Sequence, residues 1–143
     1  MPDCTDWQVT TCFYCALHLL NAYLANEQNL HYSTHKEMEN ALNWANTLSL
    51  TKLSQDDFTT YQKLRNLSRR SRYLCSESGV SNIAAQLTNE KEFAKSIICL
   101  DKLMVFFLKK YKAESLQKTK LKCPTLAGES LKFFEIEQIK AAV

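Results

Sequence analysis

Glycine and proline are scarce: each occurs only twice in 143 residues. A sandwich or barrel of short strands needs frequent turns, and this chain has few residues to make them. A dinucleotide-binding or P-loop enzyme needs a glycine-rich phosphate cradle, which two glycines do not supply. Long apolar runs are also missing. The longest, Leu103 to Leu108, is bounded by Lys102 and Lys109, far short of the roughly 18 residues of a membrane span. The opening Met1-Pro2-Asp3-Cys4-Thr5-Asp6 is acidic, so no secretory signal is expected. Neither charge dominates: 18 basic residues against 15 acidic ones leave +3. That balance permits contact with nucleic acid without requiring it.

What is present describes one folded helical domain. Hydrophobic residues make up 45% of the chain and charged ones 23%, the balance of an ordinary globular protein. Seven phenylalanines, six tyrosines and two tryptophans argue against disorder. A chain of this size builds a core without metal or disulfide staples. Six cysteines without a leader read as buried thiols in a reducing compartment. The expected setting is cytoplasmic, with no membrane attachment.

Periodicity places four helices. The first spans about Asp6 to Asn26 and is apolar on several sides, including Trp7, Phe13, Leu17, Leu20 and Leu24. Such a helix is central in a bundle or shared with a second subunit. The second starts near Ser33 with the capping-box spacing Thr34-x-x-Glu37. It carries Met38, Ala41, Leu42, Ala45 and Leu48 on one stripe. The third spans about Gln55 to Cys75, with Leu64, Ser68, Ser71 and Cys75 recurring on one side. A loop with one short helix at Asn82 to Leu87 follows, and the fourth helix spans about Asn89 to Lys112. The fold class is therefore all-α, an up-and-down four-helix bundle over residues 1–117. Residues 118–143 form a tail. Cys123-Pro124 and Gly128 break it, and Glu129 to Ala142 is a possible fifth helix with Phe133, Ile136 and Ile139 inward.

Three groupings could carry chemistry. Cys12-x2-Cys15 followed by His31-x3-His35 formally matches a zinc-finger spacing. The cysteines fall inside the most apolar helix, so they read as core thiols and the histidines as surface groups. The same pair lacks the strand-to-helix setting of a thiol redox motif. The third helix carries Lys63, Arg65, Arg69, Arg70 and Arg72 with no acid among them. Arg65, Arg69 and Arg72 share a face and could hold phosphates, or they could pair with acids of a neighbouring helix. A lysine-rich stretch runs from Lys109 to Lys122 and suits a helix C-terminus. His18 reads as a core residue. Asp101 reads as a structural partner for an arginine. No catalytic residue, metal ligand or cofactor is assigned.

The order of these segments resembles the HEPN superfamily, the "higher eukaryotes and prokaryotes nucleotide-binding" helical bundles. The resemblance rests on Phe13-Tyr14-Cys15-Ala16-Leu17-His18-Leu19-Leu20, on Ser33-Thr34-His35-Lys36, and on Tyr61 to Tyr73 with its arginines. It covers about residues 6 to 112. It implies a homodimer of up-and-down bundles. Many such proteins are ribonucleases with an arginine followed, four to six residues on, by a histidine. Here Arg65-Asn66 begins that motif, but Arg70, Ser71 and Arg72 stand where the histidine would be. The proton-transfer group is missing. The resemblance therefore implies a non-catalytic module that binds a nucleotide, RNA or a partner protein, such as a minimal nucleotidyltransferase. Arg65, Arg69 and Arg72 are the expected ligand contacts, with Tyr61 and Tyr73 as stacking neighbours. The alternatives are a degenerate ribonuclease, in which His18 or His35 reaches Arg65, and a structural interaction bundle closed by a partner.

Overall fold

The computed structural model describes residues 5–74, 82–112 and 117–137, with side chains for all of these except 5, 73, 74 and 82–86. Its elements are α1 (Thr5–Gln28), α2 (His35–Leu42), α3 (Gln55–Leu74), α4 (Asn82–Tyr111), β1 (Thr119–Leu121), a 3-10 turn (Pro124–Leu126) and β2 (Phe134–Ile136). Three long helices and one short one make a helical bundle. The expected short helix at Asn82 merges with the fourth into a single α4. Among the described residues no helix is long and apolar enough to cross a membrane.

Local chemistry sets the helix ends. Asn29 ends α1 in the left-handed region, at φ 55°, and its N–H returns to the Ala25 carbonyl at 2.8 Å. Asparagine tolerates that conformation better than most residues. The expected Thr34 cap of α2 forms, with the Glu37 carboxylate reaching the Thr34 hydroxyl rather than its backbone N–H. Glu37 N–H donates to Thr34 Oγ1 at 3.2 Å, and Thr34 Oγ1 donates to the Glu37 carboxylate at 2.9 Å. At α3, Asp57 N–H donates to Ser54 Oγ at 3.1 Å.

The second helix stops a turn and a half earlier than its apolar stripe suggests. Asn43 Oδ1 accepts from Ala45 N–H, and Asn46 Oδ1 accepts from Leu48 N–H. These side chains offer the backbone a turn in place of the helix. Ala45 and Leu48 therefore leave the stripe, and Leu48 is 91% exposed.

The long helices have defined directions. Asp56, at the start of α3, pairs with Lys102, and Arg70, near its end, pairs with Glu92, so α3 and α4 are antiparallel. Tyr23 lies against Phe106 and Phe107, and Glu27 pairs with Lys110, so α1 runs parallel to α4; this corrects the expected up-and-down order of four helices, which would set the first and fourth antiparallel. The centre of the core is Phe13, Leu20 and Leu24 from α1, Tyr61 and Leu64 from α3, and Leu103 from α4. Each large apolar side chain removed from water contributes roughly 1.5–3 kcal/mol. Ser68 and Ser71, on the small-residue stripe of α3, are fully buried.

The tail corrects the expectation of a fifth helix. Phe134 to Ile136 is a strand, paired in parallel with Thr119 to Leu121. Its alternation of Phe134, Glu135, Ile136 and Glu137 has period two, with the acidic residues exposed. Pro124 starts a turn that lets the chain cross back, as parallel pairing requires. The ribbon is not a separate appendage: Cys123, Leu126 and Leu131 join the main core.

Asp101 of α4 holds the ribbon in place. It is 7% exposed, and its carboxylate accepts from the backbone N–H groups of Lys132 (3.2 Å) and Phe133 (2.8 Å). Its role is structural, but its partners are amides of the tail rather than an arginine of α3. Hydrogen bonds to a charged acceptor contribute about 1.5–3 kcal/mol. Asp101→Ala is expected to lower unfolding stability by about 2 kcal/mol and to expose 117–137 selectively. Urea unfolding with hydrogen exchange measures both effects.

Candidate functional site

Of the residues singled out by sequence, Arg65 is the most constrained. Its guanidinium pairs with Glu39 of α2, both side chains being only about one-fifth exposed. Glu39 also accepts from Gln62 Nε2 at 3.3 Å. One acid therefore ties two turns of α3 to α2. Tyr61 is 0% exposed, with its ring 6.1 Å from Phe13 and 6.5 Å from Phe58. It offers no open face for stacking, so its place is in the core. Arg69 and Arg72 are exposed and make no ion pair among the described residues. Arg72 Nε donates back to the Ser68 carbonyl at 3.4 Å. The side chain of Tyr73 lies outside the described ones.

The structure separates the basic residues of α3 into two flanks. Arg65, Arg69 and Arg72 follow one line along the helix, while Lys63 and Arg70, seven residues apart, follow another. The second line borders a groove of about 450 Å³ between α3 and α4. Its lining is Thr59, Gln62, Lys63, Asn66, Leu67 and Arg70 from α3 and Lys95 from α4, with no carboxylate. Lys95 was invisible to a reading of α3 alone. Only the antiparallel packing of α4 brings it to the same groove.

The histidines and cysteines do not converge. His18 is exposed on α1 rather than in the core. His31 is exposed ahead of α2, and His35 opens α2 with its ring 6.3 Å from Phe13. His35 stands one turn before Glu39, so it is the histidine on the Arg65 side of the bundle. Cys12 and Cys15 lie one turn apart on α1, Cys12 buried and Cys15 exposed. Among the described residues no three potential metal ligands gather.

Burial raises the proton affinities of Cys12, Tyr23, Tyr61, Cys99 and Cys123, most of all those of Cys12 and Tyr61. It pushes the Cys12 thiol up from 9.0 to about 12, with Cys15 adding to the rise. It pushes the Tyr61 phenol up from 10.0 to about 12; Glu39 adds to this, while Arg65 and Arg69 oppose it. Both groups are buried neutral, and the unfolded chain gives up these protons first. Stability is therefore full below about pH 9 and is lost as pH rises toward 12. Cys12→Ala is expected to make the part of that decline beginning near pH 9 shallower, with Cys99 and Cys123 supplying the remainder. Urea midpoints across the alkaline range check this.

Comparison with family models, with curated proteins and with solved structures finds no match to this chain.

Proposed function

We propose that the chain is a non-catalytic, HEPN-like helical module that binds the phosphates of RNA or of a nucleotide through the exposed side of α3. The observation that carries this reading is the charge of that side. Lys63, Arg69, Arg70 and Arg72 lie along it, and α3 has no acid beyond Asp57. Clustered cations of this kind release counterions when they neutralise phosphates. Arg65 anchors α3 to α2 through Glu39, so the ligand contacts pass to Arg69 and Arg72. A ribonuclease would need a free arginine beside a proton-transfer group. With Arg65 engaged by Glu39, binding is the better supported reading.

The wider reading is a cytoplasmic homodimer. Its support is the set of free thiols, Cys12, Cys15, Cys99 and Cys123, and the apolar residues left outside on α1, Trp7 and Tyr14. A second reading, an interaction bundle closed by a partner such as a nucleotidyltransferase, draws on the α2–α3 loop. Leu48 and Leu50 are about 90% exposed there, beside a half-exposed Trp44. An apolar group of this kind marks a surface for a partner.

Fluorescence anisotropy with labelled single-stranded RNA at low salt tests the main reading. Wild type is expected to bind. Arg69→Ala with Arg72→Ala is expected to bind more weakly, with a salt slope shallower by about 1.4. Absence of binding by wild type, or an unchanged slope in the variant, would sink it. Native mass spectrometry of the same protein is expected to show a dimer; a monomer removes the homodimer from the reading.

A further inference from the structure

Arg70 stands at the rim of the α3–α4 groove with its side chain 65% exposed, yet its partner Glu92 is buried to 3%. Only one oxygen of that carboxylate is engaged. Oε1 receives the arginine, while Oε2 is buried with no hydrogen-bond partner among the described residues. An ion pair with one exposed member gains little stability. Removing a carboxylate from water is costly. Stability is therefore a poor reason for Glu92 to sit inside α4.

Geometry offers a better one. Glu92 holds the guanidinium at one nitrogen, which leaves its other donors at the rim. Lys63 stands on the same face of α3, and Lys95 stands on α4. Three cations thus border a groove whose lining carries no acid, with the hydroxyl of Thr59 and the amides of Gln62 and Asn66 between them. Arginine can meet phosphate oxygens with two donors at once, and the lysines act as point charges beside it. Fixing the arginine beforehand lowers the entropy lost when a ligand binds.

We propose that the α3–α4 groove is a phosphate-binding subsite and that Glu92 is the positioning residue that holds Arg70 in it. The inference rests on the anion-binding reading above and adds a subsite on the opposite flank of α3 from Arg69 and Arg72. The recognised chemistry is a phosphate ester group, offered alike by an RNA backbone and by a nucleotide.

The test uses two probes with the full chain: a short labelled single-stranded RNA and a fluorescent nucleoside triphosphate. Lys63→Ala with Lys95→Ala changes only exposed side chains. It is expected to weaken binding about tenfold and to make the RNA salt slope shallower by about 1.4. Glu92→Gln raises the net charge by one, so a diffuse basic surface would bind either probe more tightly. Positioning demands the reverse: several-fold weaker binding with an unchanged helical spectrum, and no further loss when Glu92→Gln is added to Arg70→Ala.

Unchanged affinity in the lysine variant overturns the subsite, whether or not Glu92→Gln folds. Equal or tighter binding by Glu92→Gln overturns the positioning role. Sensitivity to Arg69 and Arg72 alone overturns the groove and leaves the broader reading standing. A wild type that binds neither probe overturns both. Binding of RNA alone supports a polyanion as the ligand, and binding of the triphosphate supports a nucleotide.

Discussion

Helix α3 has two incompatible jobs, and the two acids that reconcile them organise the rest of the molecule. One side must bury Tyr61, Leu64, Ser68 and Ser71. The remainder carries Lys63, Arg65, Arg69, Arg70 and Arg72, whose charges repel one another. Glu39 takes Arg65 from the α2 side, and Glu92 takes Arg70 from the α4 side. Each acid locks α3 to a neighbour and relieves part of the repulsion. Among the described residues, the exposed cations beside α3 that have no ion pair include Arg69 and Arg72 on one flank and Lys63 and Lys95 on the other. The charge available for a ligand is what remains after packing has used its share.

A similar device holds the tail. Asp101 lies on α4 among apolar residues and stays out of water because two backbone N–H groups reach it. Without those donors a carboxylate there would be strongly unfavourable. The two-stranded ribbon is too small to persist alone. It persists because Leu126, Leu131 and Phe133 are buried and Asp101 fixes the chain just before β2. Helix α4 thus carries two buried acids with different tasks, one facing α3 and one facing the tail.

Much of this was legible one element at a time. The helix start at Thr34 follows from its hydroxyl cap, and the small residues of α3 mark the side where its neighbours approach. Less legible was the end of α2, because Ala45 and Leu48 continue a helical period that the side chains of Asn43 and Asn46 interrupt. The tail was misread as a helix because Phe133, Ile136 and Ile139 have helical spacing. The competing alternation of Phe134, Glu135, Ile136 and Glu137 is short, and it gains meaning only when β1 is present to pair with it. Residues 138–143, including Ile139, lie outside the described ones.

By itself the sequence determined the helical class and the basic character of α3. Scarce glycine and proline, periodic apolar residues and local caps act within a few residues of the chain. It also showed that no histidine follows Arg65 at a ribonuclease spacing. Only the tertiary structure decided which arginines are spent and which are left. Glu39 lies 26 residues before Arg65, Glu92 lies 22 residues after Arg70, and Asp101 lies 32 residues before Phe133. Charge pairing depends on distance in space. No local pattern encodes that distance until the helices have packed.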